Sequence, residues 1–350
     1  MRWGAGRPGR TPGERSLLDA ARGGDGGAFD RLVDPYRGEL HAHCYRMLSS
    51  VHDAEDALQD ALIRAWRGLP RFEGRSQVRS WLYRIATNVC LDAIGRRPKR
   101  LLPIAYGPAA EARTPPGAPL VETVWIEPYP DERLGVPDGL ASPEARYERR
   151  ESIELAFIAA LQHLPPRQRA ALVLHDVLAF SAREVGDVLD TSVASVNSAL
   201  QRARKAVEER VPDQSQQVTL RALGDDRLRE IVQGYVDAWE RGDVEAVIGM
   251  LTTDVTWSMP PMTTWFQGTD SVAAFLTEWP GPLRWRRLPV RANGQVAIAS
   301  YTWDADAGVF KAFVLDVLTL RAEGPPIEAV TAFISAGIFP RFGMPTELPA

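Results

Sequence analysis

Cysteine is nearly missing from this chain: there are two in 350 residues, Cys44 and Cys90. They stand far apart and match no metal or redox spacing, which excludes a disulfide scaffold and a zinc module. Both are expected as small buried apolar residues in a reducing cytoplasm. Histidine is scarce as well. His41, His43, His52, His163 and His175 show no ligand spacing, and His41 and His43 point to different faces of a helix. No metal and no cofactor is expected. There is no run of about 18 apolar residues, so no membrane-spanning helix is expected. The first 13 residues carry Arg2, Arg7 and Arg10 among Gly and Pro and lack the apolar core of a secretory signal. They are expected to be a disordered tail, or the product of a misassigned start codon.

What is present divides into three kinds of sequence. Residues 14–100 have helical apolar spacing throughout. The clearest stretch is 53–69, where Ala54, Ala57, Leu58, Ala61, Leu62, Ala65 and Trp66 form one stripe. Asp53 is the expected N-cap, with Asp56 near the capping-box position. Gly68 and Pro70 end that helix, a polar loop covers 73–77, and a second helix runs from Val78 to Ile94. Residues 101–148 hold nine prolines and are a linker by chemistry. Within it, 121–131 mixes apolar and aromatic groups with acids and is expected to dock on something.

Helices resume at 149. Residues 182–189 and 192–210, joined by a short turn, have helix-turn-helix spacing. Pro212 to Val218 is expected to be polar and loose. From 225 the period changes. Helices over 226–241 and 244–251 precede strand-like runs at 255–259, 283–292, 296–303, 309–320 and 327–334, with turn signals such as Asn293-Gly294. The expected fold class is multidomain: two all-α helical domains (14–100 and 149–212), then an α+β domain (224–342).

Three constellations carry chemistry. On the second helix of the hairpin, Val196, Leu200, Ala203 and Val207 face inward. That leaves Ser195, Asn197, Ser198, Gln201, Arg202, Arg204 and Lys205 on or near the other side, groups that bond base edges and neutralise phosphates. The segment 75–100 holds seven basic residues and one acid, with Trp81 and Tyr83 among them. Cations interleaved with rings suit a strand of unstacked bases. On the helix before it, Asp53, Glu55, Asp56, Gln59 and Asp60 form an acidic patch that suits a basic protein surface. Each has a plainer alternative: a solvated amphipathic hairpin, a core Trp81 with solvated arginines, and acids that favour a helix start.

The run 53–66 (DAEDALQDALIRAW) resembles the core-polymerase-binding segment of the extracytoplasmic-function, or group IV, sigma factors. The run 79–94 (RSWLYRIATNVCLDAI) resembles their promoter-melting segment, and 164–204 resembles their minus-thirty-five-reading domain. The resemblance implies that Asp53, Glu55, Asp56, Gln59 and Asp60 contact core RNA polymerase. It implies that Arg75, Arg79, Ser80, Trp81, Arg84, Asn88, Asp92, Arg96 and Arg97 meet the minus-ten element. Ser192, Ser195, Asn197, Ser198, Gln201, Arg202, Arg204 and Lys205 would then meet the minus-thirty-five element. By the same resemblance, the linker threads the polymerase channel, with Glu122, Glu127, Asp131 and Glu132 where nucleic acid later lies. An anti-sigma protein would be a further partner in some members.

Residues 224–342 are similar to the cone-shaped SnoaL-like fold, an α+β barrel around a pocket, as carried by an actinobacterial SigG-like branch of these sigma factors. Trp239, Trp257, Met259, Trp265 and Phe266 are the candidate lining for a small apolar ligand, and equally core or interface. Trp279, Trp285 and Trp303 add to this aromatic content. The domain contains no histidine, and nothing in the sequence marks any of Asp254, Asp270, Asp304 or Asp316 as an acid or base. A regulatory, non-enzymatic domain is therefore expected. Two alternatives stay open: a stand-alone helix-turn-helix regulator, and a DNA-binding module tethered to a cyclase-like enzyme.

Overall fold

The computed structural model describes residues 12–72, 74, 77–120, 125–134 and 149–350. The chain condenses into two units. The first takes 1–99, 133–142 and 156–211, so both helical regions belong to one unit. The second takes 100–132, 143–155 and 212–350, so the proline-rich segment keeps company with the C-terminal domain.

In the first unit α1 (Pro12–Arg22), α2 (Gly26–Leu48), α3 (Val51–Gly68) and α4 (Val78–Ile94) form one group. A second group holds α5 (Leu155–Gln162), α6 (Pro166–Leu172), α7 (Ala182–Leu189) and α8 (Val193–Glu208), with a π-helical turn at Val173–Val177. The cap of α3 is Ser50, whose hydroxyl accepts from the Asp53 amide at 3.1 Å, so Asp53 is not the cap but the third residue inside the helix. The helix starts a turn early because a serine precedes the apolar stripe and satisfies an otherwise orphan amide. Ser181 and Glu184 form a capping box on α7. An added Cβ at Gly186 would stand 2.8 Å from the Thr191 carbonyl oxygen, so the turn between α7 and α8 closes on glycine alone. Val196, Leu200, Ala203 and Val207 are buried, as their spacing predicts.

The second unit has α9 (Gln216–Glu240, broken at Gly224), α10 (Val244–Gly249) and α11 (Thr269–Glu278) over one sheet. Its strands are β1 (Leu251–Ser258), β2 (Trp265–Gln267), β3 (Trp285–Ala292), β4 (Gln295–Asp304), β5 (Val309–Leu320), β6 (Ile327–Ile334) and β7 (Glu347–Leu348). Their order is β2-β1-β6-β5-β4-β3, with β7 on β5; β1 and β6 are parallel and the other pairs antiparallel. The helix α9 begins at Gln216, inside the stretch expected to be loose. Ser215 caps it, its hydroxyl accepting from the Val218 amide at 3.3 Å, and the Glu154 carboxylate accepts from the Gln216 amide at 3.0 Å and the Gln217 amide at 2.9 Å.

Candidate nucleic-acid and polymerase interfaces

The acids of α3 are arranged unequally. Asp53 is 5% exposed and paired with Arg97. Glu55 is paired with Arg133, and Asp60 with Arg64 at 2.8 Å. Arg64 also reaches Asp92 of α4 at 3.3 Å, so one guanidinium ties the two helices. Asp56, 3.7 Å from His52, and Gln59 are exposed. The outward face of α3 is thus led by Asp56 and Gln59, with Glu55 and Asp60 at its margins. Asp53 lies beneath it.

On α4, Arg84, Asn88 and Asp92 are exposed, as are Arg96 and Arg97 in the turn that follows it, while Arg79, Ser80 and Trp81 are half-buried. Trp81 stacks on Phe72 with ring centres 4.6 Å apart, against the end of α3 at Gly68. Arg75 lies outside the described residues, as does Glu122 of the linker. Leu82, Tyr83, Ala86, Val89 and Cys90 form the buried face. A hydrogen bond with the Cys44 thiol, and after it burial, push the Cys90 thiol well up. The two cysteines therefore meet across α2 and α4, which their separation in sequence hides. As buried free thiols they act as core groups.

The outward face of α8 is open. Ser192, Ser195, Asn197, Ser198, Gln201, Arg202, Arg204 and Lys205 are exposed. Ser192 caps the helix and shares a hydrogen bond with Ser195 at 2.9 Å, and Arg202 donates to Ser198 at 2.6 Å. Arg204 differs from its neighbours. Its Nε and Nη2 donate to the two oxygens of Asp176 at 2.9 and 2.7 Å, and His175 lies on the same carboxylate at 2.7 Å. Burial acts to raise the Asp176 pKa, but Arg204 and His175 outweigh it and hold the carboxyl below its ordinary range. The guanidinium fork that phosphate recognition uses is therefore occupied within the protein. Sequence spacing places Arg204 on the right face and gives no sign of Asp176, 28 residues upstream. Beside it, His175, Asn197, Gln201 and Lys205 help line a cleft of about 590 Å3.

In the C-terminal domain Trp239, Trp257, Met259 and Phe266 belong to one buried cluster with Trp285 and Phe275. Trp239 meets Trp285 edge-on at 5.8 Å, and Phe266 stacks on Phe275 at 4.8 Å. Trp265 stands apart from that cluster, its indole donating to the Gly107 carbonyl at 3.0 Å. Of the four aspartates, Asp254 and Asp304 pair with Arg321 and Lys311 near the surface, and Asp270 is exposed. Asp316 is fully buried, 2.6 Å from Arg287, with the Tyr235 hydroxyl at 3.5 Å. Burial pushes the Asp316 carboxyl up against the pull of Arg287.

The linker has a defined seat in this unit. The Tyr129 amide donates to the Asn293 side chain and the Asn293 amide to the Tyr129 carbonyl, both at 2.8 Å. The Gly294 amide donates to Asp131 at 2.7 Å, the Ala110 amide to the Trp265 carbonyl at 2.8 Å, and the Leu120 amide to the Pro261 carbonyl at 2.9 Å. The expectation that 121–131 docks is met over 125–131; residues 121–124 lie outside the described residues.

Three family profiles match the chain: Sigma-70 region 2 over residues 32–100, Sigma-70 region 4 over 154–207, and a SnoaL-like domain over 232–328. The chain is 40% identical over 331 residues to the ECF RNA polymerase sigma factor SigG of Mycobacterium tuberculosis, covering 92% of this chain and 85% of that one. It is 32% identical over 201 residues to SigW of Bacillus subtilis, covering 57% of this chain and 97% of that one. Among solved structures, the Mycobacterium tuberculosis extracytoplasmic-function sigma factor SigJ shares the fold, with a TM-score of 0.52 at 23% identity over 89% of this chain and 97% of that one.

Proposed function

Because the chain belongs to the extracytoplasmic-function RNA polymerase sigma factors, we propose that its exposed α8 face reads the minus-thirty-five element and its α4 face the minus-ten element, while α3 docks on core polymerase. The observation that carries this assignment is the open row on α8. Asn197, Ser198, Gln201 and Arg202 stand outward over a buried Val196-Leu200-Ala203 stripe, near the helix start that a docked recognition helix presents to bases. Asp56 and Gln59 are the leading polymerase contacts on α3. Strand opening is then held by trapping unstacked bases against α4, offsetting a few kcal/mol per step.

The C-terminal domain is read as a regulator without catalysis. Its most buried carboxylate is engaged by Arg287, and its aromatic side chains pack on one another. It holds 125–131 of the linker, the segment that the family resemblance sends into the polymerase channel, so holding it opposes that use. A small apolar ligand at the Trp239–Phe266 cluster would act by loosening this grip. No described helix is long and apolar enough to cross a membrane, and the assignment places the chain with polymerase in the cytoplasm.

Run-off transcription with purified core polymerase tests the reading. The full chain is expected to give promoter-dependent transcripts and to be retained on immobilised core, and D56A/Q59A to lose retention. A chain that binds duplex DNA but never core polymerase would replace this reading with that of an autonomous regulator. Turnover of a small apolar substrate by the full chain would replace the regulatory role of the last domain.

A further inference from the structure

We propose that Asn293-Gly294 is a site of self-modification guarded by the linker. When 125–131 leaves its seat, the Asn293 side chain cyclises onto the Gly294 nitrogen and becomes an acid that bars the linker's return. That something draws the linker away rests on the polymerase assignment above.

The hairpin between β3 and β4 is the first observation. An Asn-Gly pair suits a two-residue turn in which both φ are positive, here 55° and 69°. Such tips lie at the surface as a rule. This one does not: Asn293 is 0% exposed and Gly294 is buried. Segments 129–131 and 150–153 close over it from outside the hairpin.

The groups that would react are all engaged. The Asn293 side-chain oxygen accepts from the Tyr129 amide at 2.8 Å, and its nitrogen donates to the Ile153 carbonyl at 2.7 Å. The Gly294 amide donates to Asp131 at 2.7 Å, and the Gly294 carbonyl accepts from the Gln217 side chain at 2.6 Å. A carboxylate on the Gly294 N–H opposes loss of its proton, since the anion formed would face a like charge. The Asn293 side chain, pinned at both ends, cannot turn towards that nitrogen.

Freed from the seat, the pair has an open route. Glycine brings no Cβ to hinder ring closure. The deprotonated Gly294 nitrogen adds to Asn293 Cγ, the bond from Cγ to Nδ2 breaks, and Nδ2 leaves as ammonia with the proton that Gly294 gave up. Water then opens the succinimide at either carbonyl, giving aspartate or isoaspartate. One water enters and one ammonia leaves; no oxidant and no cofactor is needed.

The product does not fit the seat. Aspartate keeps one oxygen for the Tyr129 amide and turns the other on the Ile153 carbonyl, where a donor stood. That is a buried charge facing an acceptor, and Arg150, at 3.9 Å, already serves Asp131. Isoaspartate also lengthens the turn by one backbone carbon, which breaks the tight turn geometry. Either product marks a chain that has once let its linker go.

Peptide mapping by mass spectrometry of the full, polymerase-free chain at mildly alkaline pH tests the proposal, with a synthetic peptide of residues 288–299 as the unguarded reference. The parent is expected to convert Asn293 at least about tenfold more slowly than the peptide, because ring closure waits on local opening of the seat. Y129A/D131A takes the ring and the carboxylate of the linker out of the seat. It is expected to convert at nearly the peptide's rate, with the tryptophan fluorescence of the C-terminal unit unchanged, and D131A alone to fall between. N293D is expected to be cleaved by protease between 100 and 132 where the parent resists. Conversion in the parent as fast as in the peptide, no gain in either linker variant, or an N293D chain whose linker stays protected would overturn the inference. The polymerase assignment fails separately: saturating core polymerase that leaves the parent's conversion rate unchanged removes the linker's place in the channel and leaves the guarded site standing.

Discussion

Arg287 of β3 and Asp316 of β5 meet at 2.6 Å across β4, each side chain 2% exposed, with the Arg287 guanidinium lying 4.2 Å from the ring centre of Trp239. A buried pair of this kind adds little net stability over an apolar pair, but removing one partner strands a buried charge. D316N is therefore expected to destabilise the C-terminal unit by about 3–5 kcal/mol, and R287M/D316L to recover most of that loss. Six of the ten tryptophans lie between 239 and 303, so urea unfolding followed by tryptophan fluorescence reports mainly this unit. A loss under about 1 kcal/mol in D316N would show that the pair is solvated in solution.

The seat of the linker turns on the Asn293-Gly294 hairpin, in which both residues have positive φ, 55° and 69°. An alanine at 294 would be strained in the backbone, and its Cβ would stand 2.9 Å from the Arg150 carbonyl oxygen. G294A is expected to cost about 1–3 kcal/mol. It should also release 125–131, seen as new proteolytic cleavage between 100 and 132 under conditions where the parent resists. Linker release with faster promoter opening in run-off assays would support the regulatory role; unchanged cleavage would show that the hairpin is not the clamp.

Much of this organisation can be read from local pattern. The Val196-Leu200-Ala203-Val207 stripe predicts both the recognition helix and its outward face, and the nine prolines of 101–148 separate two helical regions. What pattern misses is long-range. Glu154 takes up the first two amides of a helix sixty residues downstream, β2 is three residues long and too short to announce a period, and Asp176 claims Arg204 from another element. Asp316 did leave a trace, as the lone acid in the run Phe313-Val-Leu-Asp-Val-Leu318. Its partner sits two strands away, where no local rule could find it. The acidic patch on α3 is visible as composition, but which of its members face out is decided by Arg97, Arg133 and Arg64.

Occupation of Arg204 by Asp176 makes two neighbouring arginines unequal. Arg202 is exposed and, among the described residues, held by the Ser198 hydroxyl alone, so it can exchange that bond for a phosphate or base. R202A is expected to flatten the dependence of log affinity on log salt by about 0.9, the value for one phosphate contact. R204A should leave that slope unchanged and instead lower the stability of the α6–α8 group. Holoenzyme binding to one promoter fragment at several salt concentrations measures both. A flatter slope in R204A would mean that Asp176 surrenders the arginine on DNA.

His43 gives the helical unit a pH dependence whose sign follows from its burial. The ring is fully buried, shares a hydrogen bond with Thr87 at 2.9 Å, and burial lowers its pKa from 6.5 to about 3. Below pH 6.5 the unfolded chain takes up a proton that the folded chain refuses, so stability is full above that pH and falls as pH drops towards 3. Between pH 7 and 5 this one group should remove about 2 kcal/mol, at 1.36 kcal/mol per unit below pH 6.5. H43Q keeps a polar partner for Thr87 and cannot titrate. Its unfolding free energy, from far-ultraviolet circular dichroism in urea, is expected to fall less steeply than the parent's over that interval. Parallel curves for parent and H43Q would mean that the ring takes its proton in the folded state, and that α2 and α4 open around it.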